Sequence, residues 1–257
     1  MKKPKIDYSE EAILNSRYLA LPKIAQYVKI DPARYEKPKS VFKHLMNKIG
    51  TLVEADSTAT YADIACANGE FLYQLRKRFP KMKLHGFDAE PAFIETAKRF
   101  EGLNGVSMQV GNLFDLEEQF DFVSFLGIMS TFWDPSKPLN QLLKLVKPGG
   151  VLFVDGYFNP NEVEMRVAFQ DNSVEEGRGR WRRDWGVMSQ SGIRDVLSED
   201  CEQVEFEEIV MDADLPRNPE KPHIFVWTFK DENGRRHLTH GGRMIVDDVL
   251  MIARKNK

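Results

Sequence analysis

Residues 61–69 read YADIACANG: a short apolar run that ends in small residues, followed at once by a helix-forming stretch from Glu70 to Phe79. The same alternation continues downstream. KLHGFDA (83–89) is a second strand ending in an acid, and PAFIETAKRF (91–100) is its helix. GVSMQVGNLFD (105–115) reads as a third strand and its turn, and FDFVSFLGIM (120–129) as a fourth, continuously apolar strand. Asn140–Val146 is a helix leading into KPGGVLFVDGYF (147–158), the fifth strand. Strands alternating with helices of this length predict βαβ units and a parallel sheet covered on both faces. Asp63 and Asp88 stand 25 residues apart, and Asp88 and Asn112 stand 24 apart, each interval fitting one strand–helix–strand crossover.

The flanks differ from this core. Residues 9–30 place Ile13, Tyr18, Leu21, Ile24, Ala25 and Val28 at helical spacing, broken near Pro22, and a second helical run covers Ser40–Val53. Residues 1–57 are therefore expected to form a helical prefix that caps the substrate, with the main domain at 58–257. Residues 159–188 are polar and Arg-rich and are expected to form a lid-like insertion. Beyond them come a helix at 189–199 and a strand at 202–211. HIFVWTFK and RRHLTH then flank Asp231-Glu232-Asn233-Gly234 as an added C-terminal hairpin, and a last strand spans 247–254. The expected fold is a Rossmann-like, mostly parallel, seven-stranded sheet with helices on both faces.

Composition narrows the function classes. The 257 residues are 42% hydrophobic and 29% charged, which excludes a disordered or low-complexity chain. Two cysteines, Cys66 and Cys201, exclude a disulfide scaffold and a Cys-rich zinc module, and no metal site is expected. No apolar stretch is long enough to span a membrane, and the basic N-terminus has no apolar segment behind it, so a cytoplasmic protein is expected. The net charge of −3 hides an asymmetry. Residues 1–50 hold eleven Lys/Arg against five Asp/Glu, whereas 195–220 hold ten Asp/Glu against one Arg. The basic segment could meet an anionic substrate or nucleic acid, but a solvated helical face is the favoured reading.

Three features converge where such sheets bind ligands, at the carboxyl ends of the strands. Asp63, Ala65, Cys66, Ala67, Asn68 and Gly69 form a loop of mainly small residues that lets backbone approach a ligand ahead of a helix N-terminus. Asp88, followed by Ala89, ends the second strand with a carboxylate able to accept both hydrogens of a ribose diol. Asn112 offers an amide to an adenine edge while Leu113 or Phe114 covers its face. The chain lacks the three-glycine pyrophosphate fingerprint of NAD sites and the Walker lysine motif of ATPases.

In these residues the chain resembles the class I S-adenosylmethionine-dependent methyltransferases. The resemblance covers residues 58–160, and more loosely the strands to 254. It rests on DIACANG, FDA, GNLFD and LLKLVKPGGVLFVDG. It implies S-adenosylmethionine as cofactor, with 65–69 beside the methionine moiety, Asp88 on the ribose, Asn112 and Leu113 at adenine, and Leu126, Gly127 and Ile128 near the sulfonium. Two departures stand out. Ala65 and Ala67 replace glycines, at a cost of about a kcal/mol wherever φ is positive, and Asn112 replaces an aspartate.

A methyl sulfonium needs an in-line nucleophile and exclusion of water. Candidate bases on the acceptor side are His223 and His240, which bracket the hairpin, and Asp155 and Tyr157 after the fifth strand. Met129, Trp133, Arg182 and Trp185 are candidate substrate contacts. The tetrad N-P-P-[YF] of adenine and amide N-methyltransferases is absent; GIMSTFWDP stands there instead. The expected acceptor is a small molecule, anionic or aromatic, methylated on oxygen or nitrogen rather than carbon, with nucleic acid and membrane disfavoured as partners. An RNA-modifying enzyme and a non-catalytic binding platform are the alternatives.

Overall fold

The computed structural model describes residues 32–170, 181–216, 227–239 and 245–257. Among the described residues, the prefix contributes α1 (Pro32–Glu36) and α2 (Ser40–Leu52). The alternating unit follows as β1 (Thr60–Ile64), α3 (Glu70–Arg78), β2 (Lys83–Asp88), α4 (Pro91–Lys98), β3 (Ser107–Val110), β4 (Phe120–Phe125), α5 (Ser136–Lys144) and β5 (Val146–Gly156). Next are β6 (Phe158–Asn159), β7 (Met165–Phe169), β8 (Arg182–Ser189), α6 (Gln190–Leu197) and β9 (Cys201–Glu208). The chain closes with β10 (Trp227–Lys230), β11 (Arg236–Thr239), β12 (Ile245–Val246) and β13 (Val249–Lys255). The expected helix over 9–30 lies outside the described residues.

Seven strands form one sheet in the order β3-β2-β1-β4-β5-β13-β9. All neighbours are parallel except β13, which runs antiparallel to both β5 and β9. The order reverses between β1 and β4, so a crevice opens at their carboxyl ends, as expected for an open α/β sheet. The KPGG segment belongs to β5 and not to the helix end: a register shift between Phe120 and Phe122 admits it. A side chain at Gly150 would meet the Asp121 carbonyl at 2.7 Å, so only glycine lets β5 lie this close to β4.

Strand alternation divides the core. Tyr61, Phe122, Phe153, Leu250 and Ile252 face α2 and α3, while Ala62, Val123, Leu152, Val154 and Met251 face the layer that includes α5 and α6. Helix α2 of the prefix is part of this core, because its Leu45 and Ile49 are fully buried against the first face. The polar side of α2 takes up part of the charge asymmetry. Lys43 pairs with Asp212, Lys48 with Glu205 and Glu207, and His44 Nε2 lies 2.8 Å from Glu207. The basic segment thus docks, at least through α2, on the chain's own acidic one.

The described parts of the insertion include strands: β7 pairs antiparallel with β8, and Trp185 is buried with Val187, Leu238 and Val246 in a small second core. The hairpin is confirmed as β10–β11, extended by β12. No helix among the described residues is long and apolar enough to cross a membrane.

If α2 is integral to the core, Leu45→Ala will lower the unfolding free energy by about 2–5 kcal/mol, as a buried leucine does. Chemical denaturation measures this, and a change under 1 kcal/mol would make the prefix a detachable attachment.

Candidate cofactor and acceptor site

The loop after β1 adopts an unusual backbone. Ala65 and Ala67 have φ of 59° and 47°, the left-handed region in which alanine is disfavoured. Its neighbours hold it there. The Cys66 N–H donates to the Phe87 carbonyl at 3.0 Å, and the Ala67 N–H donates to Asp88 Oδ2 at 2.9 Å. From the prefix, the buried Tyr35 hydroxyl donates to the Asn68 carbonyl at 2.8 Å. Asp88 Oδ1 also accepts from the Glu90 N–H at 2.9 Å. Each carboxylate oxygen therefore keeps a lone pair, so Asp88 can hold the loop and still accept from a diol.

Around this loop lies a cavity of about 570 Å³. Among the predicted residues, Asp63, Ala65, Cys66, Ala67, Asn68, Asp88, Ala89, Leu126, Gly127 and Ile128 line it. Gly69 stands behind the loop as the residue preceding α3. Asn112, Leu113 and Phe114 do not line it. Asn112 Oδ1 instead accepts from the Phe114 N–H at 3.1 Å, capping a local turn, while Leu113 is buried and Phe114 is exposed. Residues not foreseen complete the wall: Arg34, Lys39, Val41 and Phe42 from the prefix, and Glu70, Phe71, Glu90 and Phe93. Glu70 and Glu90 adjoin recognised motifs, but nothing in the local sequence marks the prefix residues. Buried Glu70 holds Arg34 at 2.7 Å and Lys39 at 3.3 Å.

A second cavity of about 770 Å³ adjoins the first, and the two share Lys39, Val41, Gly127 and Asp155. Its walls are the α1–α2 connection, the segment around Met211–Leu215, Tyr157, Leu238 and Asp248. Of the candidate bases, Asp155 and Tyr157 therefore reach it, whereas His223 and His240 lie outside the described residues. The candidate substrate contacts are not gathered here. Met129 is fully buried in the core, and Trp185 packs edge-on against Tyr157 with centroids 5.3 Å apart. Trp133 lines neither cavity, its carbonyl accepting from Arg166 Nε at 2.7 Å. Arg182 opens β8, with its side chain outside the described residues. Nothing described from 159–188 lines either cavity.

The electrostatics are acidic. Burial pushes the Asp63 carboxyl up to about 7, against a 2.6 Å hydrogen bond from Ser124 Oγ, with Asp88 and Asp155 adding to the rise. Burial likewise pushes Asp155 up to about 6, although the Gly127 N–H donates to its Oδ1 and Lys39 lies near. Burial raises Asp88 too, opposed by its two backbone donors. The Cys66 thiol is pushed well above its ordinary value by burial, which leaves it unsuited to nucleophilic work. Five acids and two bases line the first cavity, a balance that suits a cationic ligand and opposes a pyrophosphate. Gly127 has φ of 75° and open space where a side chain would stand, leaving bare backbone between the cavities. These features fit an adenosyl sulfonium. Among the described residues no cluster of His, Cys, Asp or Glu is arranged to hold a metal ion.

Sheet order, cleft and ribose-type carboxylate define a nucleotide-binding methyltransferase architecture. The family model described as "Methyltransferase domain" matches residues 55–186, and the chain belongs to this family of class I S-adenosylmethionine-dependent methyltransferases. A malonyl-[acyl-carrier protein] O-methyltransferase of Ilyobacter polytropus is 27% identical over 137 residues, 51% of each chain. A tRNA U34 carboxymethyltransferase of Campylobacter curvus is 30% identical over 116 residues, 42% of this chain and 36% of that one. The chain thus spans about half or less of these relatives' length. Among solved structures, a chain from the complex of the Haloferax volcanii Trm112 methyltransferase activator with a putative methyltransferase shares the fold. Its TM-score is 0.58 at 17% identity, covering 91% of this chain and 97% of that one.

Two outcomes are expected. Asp88→Ala weakens S-adenosylmethionine binding by roughly 1–3 kcal/mol in calorimetry, through lost charge-assisted hydrogen bonds; an unchanged dissociation constant would displace the ribose from Asp88. For Asp63, the folded carboxyl is raised above its unfolded value of 3.8 to about 7. Its stabilising contribution is thus fully present below the unfolded value and is lost as pH rises through the folded one. Asp63→Asn should therefore raise the apo melting temperature more at about pH 8 than at about pH 5, and equal shifts at both would place Asp63 in a solvated site.

Proposed function

We propose that this protein transfers the methyl group of S-adenosylmethionine to a small-molecule acceptor, on nitrogen or oxygen. The observation that carries this reading is the junction of two cavities at Gly127 and Asp155, one with the lining of a cofactor site and one of a size for a small acceptor. In the first cavity Asp88 takes the ribose hydroxyls, and Ala89 and Phe93 give adenine an apolar wall. Arg34 and Lys39, fixed by Glu70, face the methionine carboxylate, while Asp63 and Asp155 favour the positive groups. When bound, the cofactor supplies an electrophilic methyl carbon, accepting a lone pair as the carbon–sulfur bond breaks and its electrons stay on sulfur. The protein's part is alignment, water exclusion and proton acceptance. Tyr157 and Asp155 stand where the acceptor's reactive atom must lie.

A nucleic-acid acceptor is the second reading, favoured by the tRNA-modifying relative. Against it stand two of the described prefix lysines, Lys43 and Lys48, which are already paired with Asp212, Glu205 and Glu207.

Incubation with methyl-labelled S-adenosylmethionine and either a small-metabolite pool or total tRNA separates the two. Label in the low-mass fraction is expected, with tRNA retention insensitive to salt. Label in tRNA with steeply salt-dependent retention would move the acceptor to RNA, and no thermal shift at millimolar cofactor would remove the enzymatic reading.

A further inference from the structure

We propose that Asp155 and Asp248 form a paired-carboxylate seat for a cationic amine, so that the acceptor enters as an ammonium ion and leaves its proton on the pair. This rests on the reading of the two cavities as donor and acceptor sites.

Asp155 is the one acidic residue, among those described, that lines both cavities. It is 6% exposed. Its Oδ1 accepts the Gly127 N–H, and no side-chain donor among the described residues reaches its Oδ2. Asp248 immediately precedes β13 and lines the second cavity. Opposite Asp155 across the antiparallel ladder stands Leu250, two residues beyond Asp248, so the two aspartates share the sheet face that α2 covers. The backbone on both sides is fixed, since the Ile209 N–H donates to the Asp248 carbonyl at 2.9 Å and β5 pairs with β13 along its length.

Lys39 offsets the charge of Asp155 only in part, being shared with Glu70 at 3.3 Å, and Lys43 lies 2.5 Å from Asp212. Lys37 is exposed at the rim. Neither aspartate makes an ion pair with any described residue. Two neighbouring carboxylates in such a place cannot both stay charged without a cation or a proton between them. Accordingly, Asp248 is held well above the carboxylate range by burial and by Asp155.

This selects among acceptors. A carboxylate would add negative charge beside the pair, and an alcohol would bring no positive charge to relieve it. An ammonium ion satisfies it with hydrogen bonds and charge together. The donor's sulfonium, adjacent in the first cavity, opposes a second positive charge and favours loss of the ammonium proton. One proton passes to the aspartate pair, freeing the nitrogen lone pair that methyl transfer consumes. The methylated product carries the positive charge again, and the pair returns its proton to water when the product leaves.

The test uses ligand-observed NMR on the full chain saturated with S-adenosylhomocysteine, with benzylamine, benzyl alcohol and benzoate as probes. Benzylamine should bind about tenfold more tightly than the other two. In Asp248→Asn that preference should fall to about twofold while S-adenosylhomocysteine affinity is retained. If S-adenosylhomocysteine binds but benzoate or the alcohol matches benzylamine, the amine seat is wrong and the donor site stands. If S-adenosylhomocysteine does not bind, the two-cavity reading fails and the seat fails with it. The preference is measured first on the unaltered protein, so a folding defect in the variant cannot rescue the proposal.

Discussion

Asp88 is the point on which the site depends. Its two carboxylate oxygens receive the N–H groups of Ala67 and Glu90, joining the loop after β1 to the turn after β2. Without that tie, two left-handed alanines would relax toward ordinary torsions and the cleft floor would move. A buried carboxylate with two backbone donors tolerates its burial because the donors replace water. What is left of its hydrogen-bonding capacity faces the cavity. Support of the loop and the acceptor capacity that faces the cavity thus belong to one side chain, and neither can be altered alone.

The second organising feature is the meeting of oppositely charged segments distant in sequence. Helix α2 covers one face of the sheet with leucine, isoleucine and phenylalanine, and secures its polar flank to β9 and Asp212. Exposed pairs of this kind add little stability each, so the apolar burial holds the helix while the ions fix its orientation. That orientation sets Lys39 and Val41 at the boundary between the cavities.

Much of this was legible in the sequence. The alternation from Tyr61 to Phe158 gave the strands and their order of use, because period and punctuation are local properties. That 65–68, Asp88 and Leu126–Ile128 line one cavity was legible for the same reason, since clefts in such sheets open at the strand ends. Asn112–Phe114 stand outside the cavity lining, and Asn112 Oδ1 accepts from the Phe114 N–H to cap its own turn, a local use that the sequence does not separate from contact with a base. Met129 and Trp185 are buried and line neither cavity, because neither the place after a strand, for Met129, nor an Arg-rich segment, for Trp185, says which way a side chain points. Arg34, Lys39 and Asp248 were invisible, being brought to the site by packing across the whole chain. The basic and acidic segments were each noticed, but their mutual attraction needed three dimensions.

The alanines at 65 and 67 carry a wider lesson about signatures. A pattern demanding glycine at both places would pass over this chain, although the torsion angles those glycines normally supply are present. What heredity must preserve at such a bend is a shape and an absence of bulk, and the letter used to spell it can drift as long as neighbouring contacts keep the main chain bent.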